Sequence, residues 1–232
     1  MYESLGEYNQ AKERHQKALV IRKKIFGEDH ADVAESYNNL ASVHDSLEEY
    51  NQAKELFEKA LVIHKKTFGE DHAHVAASYN NLASEYSRLG EFNQAKELLE
   101  KALVIHKKIF GEYHAHVVIS YNNLASVYYR LGEYNRAKEL HEKALVIRKK
   151  ILGEDHADVA TSYNNLASVY ISLGEYNEAK ELLEKAVRIY EKILGENNLY
   201  VEELRNMLAL LNNYRIVGRC KDRREKARCL VL

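Results

Sequence analysis

The chain has 232 residues, 46% apolar and 30% charged, with a formal net charge of −1; this balance excludes an intrinsically disordered segment, which combines low hydrophobicity with high net charge. It contains no proline and only ten glycines, so long loops are few, and its Ala, Leu, Glu, Lys, Asn and Tyr content favours helix over strand. Seven basic residues against two acidic ones give Arg215–Leu232 a net +5 and leave −6 on the body, which is the wrong sign for a phosphate-binding face and argues against nucleic acid as a partner.

One repeat organises everything before that tail. The heptapeptide Ser-Tyr-Asn-Asn-Leu-Ala-Ser stands at 36–42, 78–84, 120–126 and 162–168, a period of 42 residues. Lys-Ala-Leu-Val-Ile recurs with the same period from Lys17, Lys59, Lys101 and Lys143, then degenerates at Lys185–Ile189. A period of about 20–50 residues marks a solenoid or a propeller, and helical spacing of the apolar residues selects the solenoid.

In chain order, residues 1–28 form a truncated first unit: Leu5 aligns with Leu47, so only a stub precedes a helix at 8–26. Unit 29–70 shows the full plan. Asp29 is the expected N-cap, with Asp32 as a capping-box-like partner. Val33, Tyr37, Leu40, Ala41 and His44 then make one apolar face of a helix A over 30–47. After Glu48-Glu49, with Asn51 as the expected cap, helix B covers 50–67 and buries Ala53, Leu56, Phe57, Ala60, Leu61 and Ile63. Gly69 ends it as a left-handed C-cap, and Gly27, Gly111, Gly153 and Gly195 are its equivalents. The A-to-B turn carries Gly6, Gly90, Gly132 and Gly174 but Glu48 in the second unit; a positive φ there would cost about 1 kcal/mol relative to glycine. Units 71–112, 113–154 and 155–196 repeat the plan, 197–215 holds a capping helix from about residue 199, and 216–232 is a basic tail.

Tyr37, Leu40, Ala41, Tyr50, Ala53, Phe57 and Ala60 fall at the spacing of the tetratricopeptide signature. The common unit has about 34 residues, so about eight are added here, in helix B and the loop after it. With Asn-Asn-Leu-Ala and Gly-Glu-Asp-His-Ala-Asp-Val-Ala, residues 1–214 resemble the 42-residue repeat of kinesin light chains and nephrocystin-like proteins. The chain departs from that pattern at Ala31, Ala73, Ala115 and Ala157, where a proline is expected, and it shows no heptad segment of the kind that joins light to heavy chains. The resemblance implies an all-α fold: a right-handed superhelical solenoid of helix-turn-helix repeats, with helix A lining a concave groove. It also implies a non-enzymatic, protein-binding adaptor whose groove takes short acidic, aromatic-containing peptides.

Within helix A, an i, i+3, i+7, i+10 stripe keeps Asn and Ser while its other positions vary between repeats. Asn38, Asn80, Asn122 and Asn164 form a carboxamide ladder able to grip a peptide backbone through donors and acceptors. Ser84 and Ser126 stand beside it, Arg88 and Arg130 would select an acidic residue, and Tyr129 offers an apolar contact. The alternative is that these asparagines satisfy backbone groups between repeats, and the second ladder, Asn39, Asn81, Asn123 and Asn165, is read in that way. The pairs His72–His74 and His114–His116 invite a metal, yet neither brings a fixed third ligand, so polar loop residues are the simpler reading. His44, His64, His106 and His141 replace Tyr, Arg or Leu of sister repeats. No phosphate loop, His-Glu-x-x-His or nucleophile elbow is found, so neither catalysis nor a cofactor is expected. The Glu and Lys runs read as solvated helix faces with i,i+4 pairs.

Two cysteines, both in the tail, make no disulfide framework, and with no run of 18 apolar residues and no signal-peptide pattern a cytoplasmic location is expected. The last four residues, Cys229-Leu230-Val231-Leu232, match the C-a-a-X pattern for geranylgeranylation. A prenylated Cys229 beside the basic stretch would make the chain a peripheral membrane adaptor. The unpartnered first helix leaves a third possibility, self-association through the N-terminal face.

Overall fold

The computed structural model describes residues 2–219, and the side chains of 6–212. The readings on Cys229 and on tail residues 220–232 lie outside the described residues. Within them every regular element is α-helix: α1 (Tyr2–Phe26), α2 (Ala31–Ser46), α3 (Tyr50–Phe68), α4 (Ala73–Arg88), α5 (Phe92–Phe110), α6 (Ala115–Arg130), α7 (Tyr134–Leu152), α8 (Ala157–Leu173), α9 (Tyr176–Leu194) and α10 (Leu199–Arg219). None of the described helices is long and apolar enough to cross a membrane. The chain divides into two compact units, Met1–Leu131 and Gly132–Leu232. In the first, each helix from α1 to α6 packs on the next; in the second, α7 to α10 do the same. This is the repeated helix-turn-helix packing of a tetratricopeptide solenoid.

The cores follow from the repeat. In the first unit Ala41, Ala53, Phe57, Val75, Tyr79 and Leu82 belong to one buried cluster, and Val33, Tyr37, Ala60 and Ile63 to another. In the second unit Val159, Tyr163, Leu166, Leu183 and Leu204 are joined in one cluster. Ala53 and Ala60 have no exposed surface, because a methyl side chain is what lets two helix backbones close on each other. Leu56 is only partly buried, while Leu61 and Ile63 are buried as their spacing indicates.

Helix ends differ from the sequence reading at four points. The N-cap of α2 is His30, not Asp29: its backbone is extended (φ −89°, ψ 145°) and its Nδ1 accepts the Asp32 N–H at 3.2 Å. His72, His114 and His156 cap α4, α6 and α8 in the same way. The Asp29 carboxylate is instead taken by Lys66 of α3. The cap rings also stack on the preceding helix end, His72 on Phe68 at 4.5 Å and His114 on Phe110 at 4.4 Å, so these histidines serve helix initiation. Helix α3 starts at Tyr50 behind Glu49, not at an Asn51 cap, and Glu49 makes no capping bond because Lys12 and His44 hold its carboxylate. Gly69, Gly111, Gly153 and Gly195 do have positive φ, but with ψ between 156° and 171°, a glycine-only region rather than the left-handed helical one. Gly6 makes no turn at all: α1 runs straight through it. Ile21 of α1 is 56% exposed, against 6% for its equivalent Ile63.

Polar contacts link helices both within a repeat and between successive repeats. The expected i,i+4 pattern holds for Lys180–Glu184, but Lys66–Asp29, Lys108–Asp71 and Lys192–Asp155 all span 37 residues, as do Lys12–Glu49, Lys54–Glu91 and Lys138–Glu175. A second link joins the C-terminal part of one helix B to the next helix A. Arg22 Nη1 donates to Asp32 O (3.1 Å) and Ser36 Oγ (2.9 Å), and Arg148 Nη1 to Asp158 O (3.0 Å) and Ser162 Oγ (2.7 Å). In the two intervening repeats His64 and His106 approach Ser78 and Ser120 at 2.7 Å, and His74 and His116 stand where the others have aspartate. The substitutions are therefore coupled, Arg with Asp and His with His; in the last repeat the pair is Tyr190 with Tyr200, in edge contact at 4.9 Å. Burial, reinforced by the neighbouring histidines, pushes His64 and His106 down to about 4.

Two expectations follow from these links and turns. Glu48 is the one non-glycine with positive φ among the described residues (59°). Glu48→Gly should raise stability by about 1 kcal/mol, read as a higher urea midpoint at unchanged slope; a lower midpoint would contradict the strain. The buried histidines stay neutral in the fold to about pH 4, while the unfolded chain takes up protons below about 6.5. Their contribution is therefore complete above pH 6.5 and lost as pH falls toward 4. The double replacement His64→Arg with His74→Asp should reduce that loss by on the order of 2 kcal/mol, measured as urea unfolding of variant and wild type across the window.

Candidate functional site

Helices α4 and α6 lie one repeat apart and present matching faces to a cleft of about 210 Å³ in the first unit. From α4 come Asn80, Ser84 and Ser87, spaced by four and three residues and so on one side of the helix. From α6 come Asn123, Ser126 and Arg130, while Ala83, Leu99 and Val127 supply apolar lining. No carboxylate borders the cleft, and its one charged group is the Arg130 guanidinium, exposed and 5.3 Å over the Phe92 ring.

The hydrogen-bond inventory shows what remains to offer. Asn80 Nδ2 donates to Ala76 O at 3.0 Å, and its Oδ1 accepts from Asn123 Nδ2 at 3.4 Å. Ser126 Oγ donates to Asn122 O at 2.9 Å, and Ser87 Oγ to Ala83 O at 2.8 Å. These hydroxyls keep acceptor lone pairs, and Asn123 keeps its carbonyl. The wall is thus a row of small polar groups with one cation at its end. It suits the backbone of an extended chain and one anionic side chain.

The sequence-derived site residues distribute as follows. Asn80, Ser84, Ser126 and Arg130 share the cleft. Asn122 is half-buried and donates to Val118 O at 3.0 Å; neither it nor Tyr129 lines the cleft. Arg88, one repeat earlier, is bound to Asp45 at 2.8 Å and lies over Tyr50. Asn38, on α2, is half-buried with an unbonded Oδ1. Asn164, on α8 of the second unit, donates to the Tyr200 hydroxyl at 3.3 Å, and its Oδ1 too is buried without a partner. Asn123, from the ladder read as structural, is exposed and borders the cleft, as do Ser87, a variable member of the helix-A stripe, and Leu99 and Val127, which sequence reasoning passed over. Their period-42 places beside Asn80 and Ser84 were the available signal. Among the described residues no group of three His, Cys, Asp or Glu is arranged to hold a metal ion.

Glu85 also escaped the sequence reading. It is 2% exposed, and its Oε2 is buried without a hydrogen-bond partner. Burial pushes its carboxyl up to about 7, with Asp45 adding to the rise and Arg88 opposing it. The same position in sister repeats is Val43, Val127 and Val169, all buried. A buried polar group without a partner costs about 1–3 kcal/mol.

The tetratricopeptide repeat model matches residues 1–66, 46–108, 82–150, 116–192 and 158–222, which together take in nearly the whole chain. No curated protein matches the sequence. Among solved structures, the chain is similar to BtubC (BKLC) from P. vanneervenii, with 29% identity and a TM-score of 0.75 over 84% of this chain and 78% of that one. It is similar to the kinesin light chain nearly identical TPR-like repeats of Podosopora anserina, at 30% identity and a TM-score of 0.73 over 83% and 91% of the two chains. RapI in its apo form, at 20% identity and a TM-score of 0.73 over 94% and 81%, shares the fold. Such a fold is typically a non-catalytic scaffold for protein interaction. The chain belongs to the tetratricopeptide repeat family, and its repeats are kinesin-light-chain-like.

Proposed function

We propose that the chain is an adaptor whose helix-A cleft binds an extended segment of a partner protein and selects an acidic residue in it. The observation that carries this reading is the composition of the α4–α6 wall: amides and hydroxyls along its length, apolar side chains beneath, and Arg130 as its only charge. Backbone amides and carbonyls of a peptide are matched by Asn80, Asn123, Ser84 and Ser126 whatever its side chains. A carboxylate meeting Arg130 gains a charge-assisted, fork-shaped contact. Arg88 differs, because Asp45 already neutralises it.

A random linear peptide library displayed on phage, selected against the full chain, tests this. Peptides rich in Asp or Glu should be enriched. Arg130→Gln should weaken their binding about tenfold or more, and Arg88→Gln by less, as measured by fluorescence anisotropy with the selected peptides. No enrichment, or equal losses from the two arginines, would contradict the proposal.

A further inference from the structure

The groove is not uniform, and the step before the Arg130 cleft has the opposite chemistry. Moving back 42 residues takes Asn80 to Asn38, Ser87 to Asp45, Val127 to Glu85 and Arg130 to Arg88. The α2–α4 step thus holds two carboxylates where the α4–α6 cleft holds a hydroxyl and a methyl-bearing side chain.

The bonding at this step is incomplete. Glu85 is 2% exposed, and neither its Oε2 nor the buried Oδ1 of Asn38 has a hydrogen-bond partner. The Asn38 Oδ1 is an acceptor, and so is the Glu85 carboxylate when ionised, so a donor completes both. The nearby cation, Arg88, is turned to Asp45, with Nε 2.8 Å from Oδ1 and Nη2 3.3 Å from Oδ2, and its guanidinium rests over Tyr50. Packing does not call for the carboxylate, because valine fills this position, buried, at 43, 127 and 169. The same place in the neighbouring step, Val127, borders the cleft, so a side chain there faces whatever occupies the groove.

We propose that the α2–α4 step is a receptor for a lysine or arginine side chain of the bound peptide, held by Glu85 and Asp45, with Asn38 accepting a backbone N–H. This rests on the groove-binding reading above and adds a polarity to it: a basic residue at the α2–α4 step and an acidic one at Arg130. A cationic side chain supplies the donor that the Glu85 carboxylate lacks, and the charge that relieves its proximity to Asp45. Selectivity arises because a peptide with an apolar side chain at this point would leave the Glu85 carboxyl buried and without a partner.

The same phage library, selected in parallel on the full wild-type chain and on Glu85→Val, decides it. Wild type should enrich peptides carrying Lys or Arg at a fixed spacing from the acidic residue, and Glu85→Val should keep the acidic preference but lose the basic one. Changing that lysine to norleucine in a selected peptide should weaken binding to wild type about tenfold and leave binding to Glu85→Val unchanged. Glu85→Val should keep its helicity and unfold at no lower urea concentration than wild type, and Glu85→Gln, which keeps the side-chain shape, repeats the comparison should valine disturb the fold. Acidic peptides enriched without a basic residue, or a norleucine penalty equal for wild type and variant, would overturn this inference and leave the groove intact. No enriched peptide at all would overturn both readings.

Discussion

The close approach of neighbouring helices is the constraint from which the other features follow. No hairpin here can bury its apolar face by itself; it must be covered by the next. At the seams stand alanines and valines with no exposed surface, such as Ala53, Ala60, Val75 and Ala76 in the first unit and Val159, Ala160, Ala179 and Ala186 in the second. Large residues there would force the backbones apart. Exposed positions on the other side of helix A, such as Asn123, Ser126 and Arg130, are released from packing and can vary without touching the core. On the proposed reading, recognition and stability draw on different faces of one helix.

Polar links reinforce the same seam. Of the pairs that span 37 residues, Lys12–Glu49, Lys54–Glu91 and Lys138–Glu175 connect successive repeats and Lys66–Asp29, Lys108–Asp71 and Lys192–Asp155 close single ones, but most are partly or largely exposed and each contributes little. The Arg22–Ser36, His64–Ser78, His106–Ser120 and Arg148–Ser162 contacts are more buried and more specific. They answer one requirement, a partner for a buried serine on helix A, with two chemistries. An arginine does so as a fixed cation with aspartate beside it. A histidine does so as a neutral ring with a second histidine beside it, and makes the two middle seams sensitive to acid.

Much of this was legible in the sequence because the repeat states its plan several times over. The helices, the family, the buried faces and the unusual Glu48 turn all come from comparing a position with its equivalents 42 residues away. The caps were not legible: aspartate and histidine adjoin at 29–30 and both can accept the first N–H, and only the reach of Lys66 to Asp29 leaves that role to His30. The coupling of position 64 with 74 was invisible because the two stand on separate helices. The candidate cleft was half legible. Asn80, Ser84, Ser126 and Arg130 follow from the stripe on helix A, whereas Asn123 joins them from an adjacent position because two helices of different repeats share one wall. Glu85 stood out only as a charge where three repeats have valine, a signal that gains meaning once its burial is known.

If helix A is the recognition surface, a bound peptide must touch α4 and α6 and leave the outer faces of α3 and α5 alone. The direct measurement is photo-cross-linking with a phage-selected peptide carrying a benzophenone at its centre, with the adducts mapped by mass spectrometry on the full chain. Adducts confined to residues 80–87 and 123–130 are expected, the segments that border the cleft. Adducts on the exposed helix-B positions Val62 and Val104 would show that binding occurs on the other side of the repeats and that the groove reading is wrong.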